Sequence, residues 1–229
     1  MALYVDSAYV EEVAQLVAAS YPVSGVTTNP TLQLAALERG QRLGQRALVA
    51  ELLRVTAGPV FTQPSAPDAA GLAHQATQLV DLDPRRVVIK LPANGSGLAA
   101  AVQLGRAGVR CALTAVYTLA QAYAGALAGA EWLIPYFGRL QRADLDPEQC
   151  LADMSKLLAG QTPPANTRIL AASLKSTGDV ARALLAGAQD ITAPPEVIRA
   201  LAEDPLSATA VATFDSDAER LHDLLGVDA

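Results

Sequence analysis

Short runs of β-branched and aliphatic residues alternate with longer Ala/Leu-rich stretches of helical period along the whole chain. The first run, Leu3 to Asp6, precedes a helical stretch from about Ala8 to Ala19. The second, Ser24 to Thr28, ends at Asn29-Pro30, and proline suits the first turn of the helical segments that fill roughly Thr31 to Thr56. The third, Pro59 to Gln63, leads to a helix near Pro67 to Val80. The fourth, Arg86 to Lys90, leads to a helix placed after a Gly95-Ser96-Gly97 turn. Val109 to Thr114 follows, with a helix from about Leu119 to Leu127. Trp132 to Tyr136 is next, then a polar loop from Gly138 to Asp146 and a helix from Pro147 to Leu158. Arg168 to Ala172 precedes a helix from about Gly178 to Leu185, and the short Asp190 to Thr192 precedes a helix after Pro194-Pro195.

Eight strand-plus-helix units use up the chain and leave one extra helix near Ser207 to Leu225. Such alternation predicts a parallel sheet, and eight units predict a closed (β/α)8 barrel of the α/β class, one domain over residues 1–229. A doubly wound open sheet is the alternative. It is disfavoured because Asp6-Ser7-Ala8, and no glycine-rich phosphate fingerprint, follows the first strand. The extra helix places Val211, Phe214, Ala218, Leu221 and Leu225 on one stripe, an apolar docking face for its own barrel or a neighbour.

In a barrel of this kind chemistry gathers at the carboxyl ends of the strands. Those ends carry Asp6, Thr27-Thr28-Asn29, Gln63, Lys90, Thr114, Tyr136 and Ser173, each closing a largely apolar run. Singly, most have an ordinary structural reading: Asp6 can cap a helix, Asn29 can open a turn, and Thr114 can bond backbone. Lys90 is the exception, since it ends the buried run VVIK and is one of only three lysines. An unperturbed lysine is neutral in roughly one molecule in 2,500 at pH 7, and desolvation raises that share. A neutral amine can attack a ketone and form an iminium, an electron sink for making or breaking a C–C bond. Asp6, Tyr136 and a water held by Gln63 and Thr114 are then candidates for the proton transfers. Arg139, Ser173 and Lys175, the last two just before a helix start near Ser176, would suit a phosphate.

Charge and composition narrow the classes. The net charge of −6, with no basic stripe, argues against nucleic acid. Cys111 and Cys150 form no C-x-x-C pair, and with only two histidines the chain offers no metal cluster. No leader-like start and no long apolar stretch point to a membrane, so a cytoplasmic protein without cofactor is expected.

The stretches LYVDS, GVTTNPTL, VVIKLPANGSGLAA, LTAVYTLAQAYAGALAGAEWLIPYFGR and ILAASLKS resemble the transaldolase family, in particular its small subfamily that includes fructose-6-phosphate aldolase. The resemblance implies a Schiff-base lysine at Lys90, a proton-shuttling carboxylate at Asp6, and contacts to substrate hydroxyls from Thr27 and Asn29. It also implies phosphate binding by Arg139 and Ser173, with Lys175 where an arginine often helps, and homo-oligomers, typically decamers. Gln63 and Tyr136 are similar to the aldolases, whereas the transaldolases place glutamate and usually phenylalanine there. The expectation is therefore aldol cleavage of a sugar phosphate, with transfer of a dihydroxyacetone unit as the alternative and a non-catalytic sugar-phosphate-binding barrel behind both. Two departures stand out: Ile134, where the family has serine or alanine, is expected to narrow the pocket, and Leu140-Gln141-Arg142 lacks the usual aspartate after Arg139.

Overall fold

A computed structural model describes residues 1–161 and 166–226 of the chain. Eight parallel strands close into a barrel in sequence order, with the first paired to both the second and the eighth. They are β1 (Ala2–Asp6), β2 (Gly25–Thr27), β3 (Val60–Thr62), β4 (Val87–Pro92), β5 (Cys111–Val116), β6 (Trp132–Pro135), β7 (Arg168–Ala171) and β8 (Asp190–Ala193). The helices are α1 (Val10–Ala18), α2 (Pro30–Glu38), α3 (Gln45–Val55), α4 (Ala69–Val80), α5 (Gly95–Arg106), α6 (Leu119–Leu127), α7 (Phe137–Arg142), α8 (Pro147–Ala159), α9 (Thr177–Leu185), α10 (Pro195–Ala200) and α11 (Pro205–Leu225). Among the described residues no helix is long and apolar enough to cross a membrane.

Strand residues alternate between two apolar cores, as the two-residue period of a strand requires. On β4, Val87, Ile89 and Leu91 pack outward among the helices, while Val88 belongs to a separate cluster inside the barrel. That inner cluster is built on Tyr4, Phe61, Trp132, Ile134 and Leu170, with edge-to-face contacts of 5.2 Å (Tyr4–Phe61) and 4.9 Å (Phe61–Trp132) between ring centroids. At the same level the Asp190 carboxylate accepts from Arg168 at 2.7 and 2.6 Å and from the Trp132 indole at 3.0 Å. The barrel interior is thus a packed plug, and whatever chemistry it supports lies above it.

Three local expectations are corrected. Gly138 to Asp146 is not a loop throughout: α7 occupies its first half, because Phe137 and Leu140 are buried and hold a helical turn against the barrel. Gly95-Ser96-Gly97 is no turn before α5 but its first turn, with the Asn94 side chain accepting from the Gly97 amide. Gly97 is glycine for a steric reason, since a Cβ there would sit 1.9 Å from the Pro92 carbonyl oxygen. Lys90 does not close its strand either; β4 continues two residues beyond it, pairing as far as Pro92 with Thr114.

The stripe on α11 is solvent-facing. No residue of this 21-residue helix is buried, and Phe214 is 66% exposed. Asp204 caps its start, accepting from Leu206 and Ser207, and Gly226 ends it in the left-handed conformation.

Candidate active site

The alternation that fills the barrel also decides which side chains reach its mouth. Asp6, Gln63, Lys90, Thr114 and Tyr136 each lie two residues beyond a residue of the inner cluster: Tyr4, Phe61, Val88, Ala112 and Ile134. Their side chains therefore point to the same axis, and all five line one cavity of about 410 Å³. Asn29, Arg139, Ser173 and Lys175 line it as well.

Lys90 is 3% exposed, and its Nζ donates to the Thr28 carbonyl at 2.9 Å. Burial holds the amine below the ordinary lysine value of 10.5, against the opposing pull of the Asp6 carboxylate. A carbonyl accepts from an ammonium more strongly than from a neutral amine but can accept from either, so the contact positions Nζ while burial opposes its charge. The strand below is held in turn, because the Thr28 hydroxyl donates to the Phe61 carbonyl at 2.8 Å.

Next to Lys90 around the barrel, on β5 and just past β6, the Thr114 hydroxyl and the Tyr136 phenol are 2.9 Å apart. Burial pushes the phenol above its usual value, while the Thr114 bond and the Arg139 charge pull the other way. Arg139 stacks its guanidinium 4.7 Å from the Tyr136 ring centroid. Gln63 presents its side chain to the cavity while its backbone carbonyl accepts from Gln45 at 2.7 Å. Gln45, at the start of α3, also bonds the Thr62 hydroxyl at 3.1 Å, so one amide pins the end of β3. Sequence reasoning missed Gln45, since nothing in its own surroundings marks it.

Thr27 is placed differently from its neighbours. It is fully buried and does not line the cavity; its hydroxyl donates to Asp6 Oδ1 at 2.7 Å and lies 2.6 Å from the hydroxyl of Thr192. Asn29 faces the cavity, yet its side chain also caps α2, accepting from the Leu32 amide at 2.9 Å. Ile134 does not narrow the cavity as expected. It is fully buried in the inner cluster, one layer below Tyr136.

At the other end of the cavity the backbone is tight. A Cβ on Gly138 would lie 2.3 Å from the Ser173 carbonyl oxygen, so only glycine lets α7 approach the segment that follows β7 here. Ser173 itself has φ +63°, and Ala115, at the register shift of β5 against β6, has φ +59°. Such left-handed backbone costs on the order of 1 kcal/mol per residue and is common at functional sites. Neither residue type betrays it in the sequence. The α9 start is less open to an anion than expected: the Lys175 amide already donates to the Asp179 carboxylate, and the Asp179 amide to Ser176 Oγ. Ser173, Arg139 and Lys175 remain as cavity-lining groups able to meet a phosphate.

Residues 3–226 match the family model for transaldolase/fructose-6-phosphate aldolase. A probable transaldolase of Symbiobacterium thermophilum is 33% identical over 220 residues, 96% of this chain and 97% of the relative. A probable transaldolase of Pelotomaculum thermopropionicum is 30% identical over 223 residues, covering 97% of this chain and 100% of the relative. Among solved structures, the inosine 5′-monophosphate dehydrogenase of Legionella pneumophila superposes with a TM-score of 0.60 at 14% identity, over 86% of this chain and 59% of its own, a likeness of fold alone. With both its barrel and its full-length relatives in agreement, the chain belongs to the transaldolase/fructose-6-phosphate aldolase family.

Proposed function

We propose that the protein is a lysine Schiff-base aldolase acting on fructose 6-phosphate or a closely related ketose phosphate. The observation that carries this reading is Lys90, a buried amine held at a carbonyl in a cavity that it shares with a carboxylate, an amide and a phenol. In the proposed cleavage the Lys90 amine adds to the C2 carbonyl, and the carbinolamine loses water to give an iminium. The Asp6 carboxylate takes the C4 hydroxyl proton, the C3–C4 bond breaks, and its electron pair moves into the iminium to give an enamine. Glyceraldehyde 3-phosphate departs; protonation at C3 and hydrolysis then release dihydroxyacetone and regenerate the amine. Tyr136, with its hydroxyl at Thr114, supplies and removes protons at the carbinolamine stage. Asn29 contacts substrate hydroxyls, and Arg139, Ser173 and Lys175 take the phosphate.

Aldol cleavage is favoured over transfer by Gln63 and Tyr136. A glutamate at position 63 could act as an ionised base for a water, whereas glutamine only orients one and leaves proton transfer to the phenol across the cavity. Fructose 6-phosphate supplied without an acceptor separates the two reactions. Release of free dihydroxyacetone and glyceraldehyde 3-phosphate is the expected result, and strict dependence on added erythrose 4-phosphate assigns the transferase reaction instead.

The same reading includes a homo-oligomer assembled through α11. Its exposed stripe of Val211, Phe214, Leu221 and Leu225 fits a second copy of the chain, and the family resemblance suggests a decamer. Sedimentation of the purified protein should show a species well above the 23.7 kDa chain, which Phe214→Glu dissociates. A parent that sediments as a monomer excludes the assembly.

A further inference from the structure

Thr192 has no place in the chemistry so far, yet it ends a buried chain of hydroxyls that leads into the cavity. β1 runs between β2 and β8, with Asp6 paired in register to Thr27 and Tyr4 to Thr192. Both threonines are buried, and the Thr27 oxygen is 2.7 Å from Asp6 Oδ1 and 2.6 Å from the Thr192 oxygen. Counting protons gives the direction. A carboxylate only accepts, so the single Thr27 proton goes to Asp6, and the Thr192 hydroxyl must then donate to Thr27. The chain runs one way, from Thr192 through Thr27 to Asp6. A hydroxyl that itself accepts a hydrogen bond is a stronger and better-oriented donor, most of all where water is excluded. The side chains that β8 and its neighbours send inward at lower levels are a packed apolar cluster and the Asp190 ion pair, so the two threonine hydroxyls form a polar layer of their own between that plug and Asp6.

We infer that Thr192 is a positioning residue for Asp6, acting through Thr27 to keep the carboxylate aimed at the substrate hydroxyl during C–C cleavage. The inference rests on the Schiff-base reading above. Thr192→Val keeps the volume and removes the donated proton, and is expected to lower kcat by about 2- to 12-fold, the worth of one buried hydrogen bond, with KM within about twofold. Borohydride trapping of the Lys90 adduct with dihydroxyacetone should proceed in this variant as in the parent, since imine formation does not pass through Asp6. Thr192→Ser, which restores the hydroxyl, should restore kcat. Thr27→Val should cost at least as much, and adding Thr192→Val to it should cost nothing more, because Thr192 acts only through Thr27. A folded Thr192→Val with parental kcat, or losses that add in the double variant, overturns the inference. If Thr192→Val does not fold, Thr192→Ala against Thr192→Ser carries the same comparison. A parent that never traps an adduct on Lys90 overturns the Schiff-base reading itself; trapping in the parent with an unmoved kcat in the variant overturns only the role of Thr192.

Discussion

Lys90→Met is expected to lower turnover of a ketose phosphate by on the order of 10⁴-fold or more, since it removes the amine that forms the imine in the proposed mechanism. Incubation with dihydroxyacetone and borohydride should leave a reduced adduct on the parent peptide that contains Lys90 and none on the variant. Phosphate binding should be nearly unchanged, because Arg139, Ser173 and Lys175 sit elsewhere on the cavity wall. Turnover that survives the substitution sinks the mechanism. The same variant tests the burial argument through stability. Burial lowers the Lys90 value below 10.5, so between the lowered value and 10.5 the unfolded chain holds more protons than the folded one. Stability of the parent therefore rises with pH across that window. The penalty of the buried ammonium is full below the window and gone above it. Methionine does not titrate, so Tm of Lys90→Met minus Tm of the parent should be largest near neutral pH and fall as pH approaches 10.5. Loss of the hydrogen bond to Thr28 offsets part of this gain, by about 1 kcal/mol where the amine is neutral, so the slope of the difference is the observable. A difference that is flat with pH means that Lys90 is not desolvated.

The largest expected loss of stability lies at the opposite end of the barrel. Asp190→Ala removes the acceptor of three hydrogen bonds and leaves the Arg168 guanidinium and the Trp132 indole without it. Breaking a buried ion pair by deleting one partner costs about 3–5 kcal/mol. Arg168 is 39% exposed and can turn towards water, which favours the lower end of that range. For a chain of this size about 3 kcal/mol corresponds to a Tm lower by roughly 6–12 °C. Asp190→Asn keeps an acceptor for Trp132 and should fall between the two. Thermal unfolding followed by circular dichroism decides it, and a Tm within a degree or two of the parent rules the network out as a stabilising element.

How far the sequence could be read differs from residue to residue. The strands are buried on both faces, so they appear as apolar runs, and a polar residue closing such a run stands out; that is how Asp6, Gln63, Lys90, Thr114 and Tyr136 became visible. Thr192 lacks that mark, because Asp190-Ile191-Thr192 holds a single apolar residue; only pairing beside β1 shows that β8 runs on to Ala193 and that Thr192 is buried. The first half of the segment from Gly138 to Asp146 reads as a loop because Gly, Arg and Gln dominate it, and the burial of Phe137 and Leu140 that makes it α7 is a tertiary fact. Ile134 looked like part of the pocket because the family that the chain resembles usually has serine or alanine near the substrate at that position. One layer of barrel packing separates them.

By itself the sequence determined the barrel and its strand order, because hydrophobic periodicity is local along the chain, and it pointed to the family through the resemblance of stretches such as GVTTNPTL. It also singled out Lys90, since an ammonium in an apolar run is costly wherever that run folds. Only the tertiary structure decided which polar groups meet. Closure brings β8 beside β1, so hydroxyls at positions 27 and 192, 165 residues apart in sequence, come into one hydrogen-bonded chain on Asp6. It likewise turned the Thr27 hydroxyl away from the cavity, set Nζ of Lys90 against the Thr28 carbonyl, and let α7 close on Ser173 over a glycine. Each of these depends on strand tilt and close backbone approach, which no local pattern of residues encodes.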